Sequence, residues 1–179
     1  MKAVLISIQP KWCEMIASGK KTIEVRKTRP NIKTPFKCYI YMTATKERCR
    51  FWEYITAYQN SKGDILNGSQ KVIGEFVCDD IIVDERGENA DVFSKYAQLS
   101  LVEQKKYGAN KPLFGWHISK LKIYYKPKEL GEFRKEGFMT EEQWLYALYP
   151  NTHCHYAAWA KRFEITRPPQ SWCYVEELE

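Results

Sequence analysis

No apolar run in this chain approaches the roughly 20 residues that a helix needs to span a bilayer. A secretory signal is missing too. Met1-Lys2-Ala3-Val4-Leu5-Ile6-Ser7-Ile8 is too short for an apolar signal core and leads straight into Gln9-Pro10, so it reads as a first strand, and the expected compartment is the cytoplasm with no membrane partner. The six cysteines form no C-x-x-C pair: Cys13, Cys38, Cys49, Cys78, Cys154 and Cys173 stand singly. Without a secretory signal they read as buried, reduced thiols rather than a disulfide framework. Histidine is scarce, with three in the chain. His153-Cys154-His155 sets potential ligands side by side, with Cys173 or Cys49 to complete a set. Zinc sites space their ligands two to four residues apart so that a loop can wrap the ion, so neither a metal nor another cofactor is expected. His117, beside Trp116 at a strand start, reads as a structural histidine. A P-loop, a dinucleotide glycine pattern and a Ser-His-Asp arrangement are all absent, which removes the signatures of nucleoside-triphosphate hydrolysis, dinucleotide redox chemistry and serine hydrolysis. Repeats, low-complexity tracts and linkers are missing as well, so residues 1–179 read as a single domain.

What the chain does have is core-forming material and a lopsided charge. Hydrophobic content of 44% and aromatic content of 15% suffice for a packed core at this length. The net charge of +6 hides an asymmetry. Residues 11–50 carry eleven Lys/Arg against three acids, an excess of +8, and residues 75–103 carry two against eight, an excess of −6. The basic end points to a polyanionic partner; alternatively, the acidic stretch lies against the basic one.

The densest information sits in Gly19-Lys20-Lys21-Thr22-Ile23-Glu24-Val25-Arg26-Lys27-Thr28-Arg29-Pro30. Pro10 suits a first helical turn, Trp12, Met15 and Ile16 fall at helical spacing, and Gly19 reads as the helix C′ residue. From Thr22 the side chains alternate as in a strand over residues 22–27. Ile23 and Val25 face a core, while Thr22, Glu24 and Arg26 share the opposite face, flanked by Lys20, Lys21, Lys27 and Arg29. The plain alternative is a solvated strand face with a surface ion pair.

Elsewhere the spacing predicts strands over 37–42, 71–83 (with Gly74 as a bulge), 116–125 (stopped by Pro127) and 171–175. Helices are predicted over 47–59, around Phe93-Ser94-Lys95-Tyr96-Ala97, from the Ser100-Leu101-Val102-Glu103 capping box to Gly108, and from the Thr140-Glu141-Glu142-Gln143 box through Tyr149, ended by Pro150. Short strands interrupted by helices, without regular β-α-β alternation, indicate a compact α+β fold.

The string from Gly19 to Arg26, following a Ser7-Ile8-Gln9-Pro10 strand exit and a short helix, resembles the ASCH family of the PUA-like superfamily. Lys71-Val72-Ile73-Gly74-Glu75-Phe76-Val77-Cys78 is similar to that family's central strand. The segments from Trp116 to Tyr124 and from Ile165 to Glu177 are similar to a bacterial and phage branch of it. The resemblance implies a small mixed or antiparallel β-barrel with peripheral helices and helical insertions around 44–70, 84–115 and 129–164. It further implies binding of RNA or a modified nucleotide, or else amide hydrolysis on an acylated cytidine-type nucleoside.

In the binding reading, Lys20, Lys21, Lys27 and Arg29 contact phosphates. Arg26 and Glu24 read a base edge, with Ser171 and Trp172 at the approach to the last strand, and Glu75 as a possible neighbour. Trp172, Trp116 and Tyr41 are the candidate stacking surface. In the family's hydrolases a lysine assists a threonine three residues later, together with a more distal glutamate. The lysine lands on Lys21, whereas the threonine position holds Glu24; Glu103 is a candidate for the distal acid. Here Glu24 would serve as general base with Lys21 or Arg26 stabilising the oxyanion, or Thr22 would be the nucleophile. A third reading is a protein-interaction module whose basic rim meets an acidic partner.

Overall fold

The computed structural model describes residues 1–44, 58–59, 65–66, 70–148 and 153–178. Eight strands appear among them: β1 (Lys2–Ile8), β2 (Ile23–Arg26), β3 (Phe36–Met42), β4 (Tyr58–Gln59), β5 (Ile65–Leu66), β6 (Val72–Asp84), β7 (Leu113–Lys128) and β8 (Trp172–Glu176). Helices α1 (Pro10–Ala17), α2 (Ala90–Tyr96), α3 (Leu101–Gly108), α4 (Glu141–Leu148) and α5 (His153–Ala160) flank them.

Six strands form one mixed sheet in the order β2-β7-β6-β3-β1-β8, and β4 pairs with β5 apart from it. β1 runs parallel to β3, and every other pairing in the large sheet is antiparallel. The α+β expectation holds, but the sheet is open rather than a ladder-closed barrel. Its edge strands β2 and β8 approach through side chains: the Trp172 indole donates to Thr28 Oγ1 at 3.0 Å, and Arg26 Nη1 donates to Ser171 Oγ at 3.4 Å. Three register shifts between β6 and β7 curl the sheet, because each unpaired residue bends its strand and increases the local twist.

Alternation in β1 and β3 buries both faces. Val4, Ile6, Ile8, Cys38, Ile40 and Met42 join a core with Phe76 and Trp116, while Ala3, Leu5, Tyr39 and Tyr41 join a second core with Tyr124 and Phe133. A third core of Ile23, Val25, Phe93, Ala97 and Leu113 ties β2 to α2 and β7. Gly115 is required there, because a Cβ on it would stand 2.5 Å from the Phe93 ring and 2.9 Å from Ile23.

Both predicted capping boxes form. Ser100 Oγ accepts from the Glu103 backbone N–H while the Glu103 carboxylate accepts from the Ser100 N–H. Thr140 and Gln143 exchange the equivalent bonds. Gly74 lies beside a register shift as expected, and its Cα faces the Lys122 carbonyl so closely that an added Cβ would meet it at 2.6 Å.

Two stops differ from the sequence reading. β7 runs through Pro127 to Lys128, where β2 no longer pairs with it, so the missing N–H breaks no ladder on that side. The turn after α3 places Ala109, not Gly108, in the left-handed region, at φ 48°. Most of the helix expected over 47–59 lies outside the described residues, and its last two residues are β4. Cys13, Cys38 and Cys78 are buried and outside any disulfide, Cys173 is half-buried and likewise unbridged, and Cys49 lies outside the described residues. The backbone of the His153-Cys154-His155 triplet is helical, and no group of metal-ligating side chains occurs among the described residues. Nor is any helix among them long and apolar enough to cross a membrane.

Candidate functional site

β2 begins at Ile23, shortly after α1 ends at Ala17. Gly19, at φ 73°, lets the chain reverse, and the Lys21 N–H then donates back to the Met15 carbonyl at 2.9 Å. Thr22 donates to the Tyr96 carbonyl and accepts from Ile118, both at 2.9 Å, which fixes the strand between α2 and β7. Its register against β7 pairs Glu24 with Trp116 and Arg26 with Phe114. Period-two alternation therefore sends Ile23 and Val25 into the third core, and Glu24 and Arg26 to the other face.

That face is not solvated. Lys21, Glu24 and Arg26 are 2%, 6% and 7% exposed. The Lys21 ammonium donates to the Ala97 carbonyl at 2.8 Å, in the last turn of α2 where carbonyls lack intrahelical partners. It also lies 3.4 Å from Glu24 Oε2 and 5.0 Å from the centre of the Trp12 ring. Arg26 Nη2 is 2.9 Å from Glu24 Oε1 and donates to the Ser7 carbonyl at 2.7 Å, while Nη1 reaches Ser171. Burial pulls Lys21 below the usual lysine range; the neighbouring Glu24 carboxylate opposes this and Arg26 adds to it. Two polar atoms of the trio stay without a hydrogen bond although buried: Glu24 Oε2 and Arg26 Nε.

The trio lines a cleft of about 830 Å³, within the roughly 300–1,000 Å³ typical of small-ligand sites. The lining also includes Ser7, Gln9 and Trp12 around the start of α1, Lys27 and Thr28 after β2, Leu99, Glu103, Lys106 and Tyr107 around α3, and Gln170 and Ser171 before β8. Lys27 reaches across to stand 4.9 Å over the Tyr107 ring. Burial holds the Tyr107 phenol above its ordinary range.

Among the residues singled out from the sequence, Lys21, Glu24, Arg26, Lys27 and Ser171 meet at this cleft, and so does Glu103. Lys20 and Arg29 are exposed elsewhere, and Thr22 is half-buried away from the lining. The Trp172 ring packs 6.0 Å from Trp116 and 5.3 Å from Tyr174, and Trp116 and Tyr41 are core residues. The aromatic walls are instead Trp12, which helical spacing assigns to the core, and Tyr107, whose approach to β2 leaves no periodic signal. Glu75 is engaged by the Tyr124 hydroxyl, away from the cleft. His117 is tied to Asp79 at 2.6 Å, and this bond lowers the Asp79 pKa. Among the described residues no ion pair joins the basic stretch 11–50 to the acidic stretch 75–103.

A curled mixed sheet whose short edge strand sends buried ionic groups into an aromatic-walled cleft defines a small α+β protein built around one charged hollow. The chain belongs to the ASCH domain family, whose family model matches residues 6–166. Among solved structures it is similar to an ASCH protein from Zymomonas mobilis, with 18% identity, 98% of this chain and 88% of that one covered, and a TM-score of 0.52. A single-residue mutant of the same Zymomonas mobilis protein also matches, at 18% identity, with 99% and 92% covered and a TM-score of 0.49. At such identity the likeness speaks for the fold alone. No curated protein matches the chain.

Proposed function

We propose that the cleft beside β2 binds a nucleobase, presented by RNA or by a modified nucleotide. The observation that carries this reading is the convergence of Lys21, Glu24 and Arg26, nearly buried, with Arg26 Nε lacking a hydrogen-bond partner and Glu24 Oε2 met only by the Lys21 ammonium at 3.4 Å. A carboxylate oxygen accepts from an exocyclic amine, and a guanidinium N–H donates to a ring nitrogen or carbonyl; this is base-edge chemistry. Trp12 and Tyr107 contribute aromatic surface to the lining, and exposed Lys27 beside Tyr107 suits a phosphate. Family membership and the curl of the sheet support a PUA-like arrangement, in which a strand edge cradles the ligand.

Titration of the protein with ribonucleosides, ribonucleotides and short RNA and DNA strands, followed by tryptophan fluorescence and calorimetry, tests this reading. Trp12→Ala should weaken binding by about 1–3 kcal/mol if the indole stacks on a base. Absence of binding to every member of the series removes the reading.

Amide hydrolysis on an acylated cytidine-type nucleoside is a second reading, favoured by one observation: a buried lysine of lowered pKa sits 3.4 Å from a carboxylate inside the same cleft. Glu24 would activate water and Arg26 would stabilise the oxyanion. Thr22, away from the lining, is not the nucleophile in this scheme, and Glu103 is occupied with capping α3. Incubation with N4-acetylcytidine decides it: turnover abolished in Glu24→Ala supports hydrolysis, and no turnover by the wild type ends it.

A further inference from the structure

The walls of the cleft carry four formal cations, Lys21, Arg26, Lys27 and Lys106, against two carboxylates, Glu24 and Glu103. One of those carboxylates is already engaged, since Glu103 accepts from the Ser100 N–H at 2.9 Å and from its hydroxyl at 2.7 Å. The deeper trio holds two cations and one anion at 2–7% exposure. A buried charge without a counterion is costly, so an empty cleft keeps an unbalanced positive excess. Arg26 Nε, inside that trio, has no acceptor.

The outer two cations come from different elements. Lys27 leaves the end of β2, and its ammonium lies 4.9 Å from the centre of the Tyr107 ring, the neighbour of Lys106 on α3. The lining therefore has one exposed lysine from the end of β2 and one from α3, with Thr28 next to Lys27 in the chain. Lys20 and Arg29, from the same basic run, are outside the lining, so the arrangement is not a continuous basic strip. A phosphate monoester carries about −1.5 to −2 charges at neutral pH, which matches the excess of two. A neutral nucleoside would leave that excess in place.

Resting on the base-binding reading, we infer that the cleft is built for a phosphomonoester-bearing nucleotide, with its phosphate between Lys27 and Lys106 and its base against Glu24 and Arg26. A free mononucleotide and an RNA end both carry this phosphomonoester, and the chemistry recognised is the same. Calorimetric titration with the four ribonucleosides, their 5′- and 3′-monophosphates, and RNA tetramers with and without a 5′-phosphate tests it. For the preferred base, the monophosphate should bind at least about tenfold more tightly than the nucleoside, as expected for one charge-assisted contact. The tetramer pair tells whether a strand end or a free nucleotide is taken, and a gain from the phosphate in either arm supports the assignment.

In the Lys27→Gln/Lys106→Gln variant, with both substitutions at exposed positions, this preference should be abolished, the monophosphate binding no more tightly than the nucleoside does to the same variant. Equal affinity for nucleoside and monophosphate overturns the inference but leaves base binding standing. A preference that survives the double substitution overturns the assignment to these lysines. Failure of every nucleoside, nucleotide and RNA to bind sinks the base-binding reading itself.

Discussion

Lys21 is held in place by three partners of different kinds: a carbonyl of α2, the Glu24 carboxylate and the Trp12 ring. They compensate its lost hydration only in part, since its pKa lies below the ordinary 10.5. The direction has a consequence for stability. Between the folded pKa and 10.5 the unfolded chain binds more protons at this position than the folded one, so stability contributed by Lys21 rises with pH across that window. Groups with raised pKa values act oppositely, the thiols of Cys38, Cys78 and Cys173 from 9.0 upward and the phenols of Tyr39, Tyr41, Tyr107 and Tyr124 from 10.0, so the rise should be read below the thiol range. Urea-melt midpoints measured from neutral pH upward should climb in the wild type relative to Lys21→Met, and parallel profiles would contradict the assignment. Glu24 has the larger effect. Converting it to glutamine leaves two cations facing each other out of water, and Glu24→Gln should cost about 3–5 kcal/mol in urea denaturation. A loss below about 1 kcal/mol, the value of a surface ion pair, would mean that the face is solvated after all.

At the scale of elements, the site exists because a four-residue edge strand is clamped from both sides. α2 packs on Ile23 and Val25, and β7 pairs with the backbone. Gly115 is where these layers come closest. Gly115→Ala should destabilise by about 1–3 kcal/mol through overpacking and displace β2, weakening ligand binding as well. Gly131→Ala is the control, since a Cβ there meets nothing within 4 Å, and it should leave the denaturation midpoint almost unchanged. The β1-α1-β2 sequence is legible in the chain because each signal is local: strand alternation, Pro10 at a first turn, Gly19 at a positive φ, alternation again. The trio's shared face follows from period two alone. That the face would be buried does not, because its neighbours Ser7, Trp12, Ala97 and Ser171 come from separate parts of the chain and leave no local signal. Helical spacing likewise does not separate the two roles of Trp12, whose ring both touches the core and lines the cleft. Pro127 misled because a proline ends a strand only where its N–H is needed.

On the scale of the whole molecule, the acidic stretch lies beside the basic one where β6 pairs with β3, and Glu103 enters the cleft, yet no ion pair among the described residues joins the two stretches and the cleft keeps more cations than carboxylates. Such a field draws anions towards the basic side and speeds encounter, with an effect that salt screens. The count of cations at the cleft limits how steeply affinity can depend on salt. Each phosphate neutralised on a single strand contributes a slope of about −0.7 in log affinity against log salt. A ligand anchored by one phosphate between Lys27 and Lys106 should therefore show a slope near about −0.7 to −1. If RNA instead follows the surface out of the cleft onto Lys20 and Arg29, several phosphates are neutralised and the slope should steepen to about −2 or beyond. Titrations of a phosphorylated RNA tetramer and of a twelve-residue RNA strand between low and physiological salt separate the two. Equal shallow slopes place recognition inside the cleft, whereas a slope that grows with strand length moves it to the basic exterior.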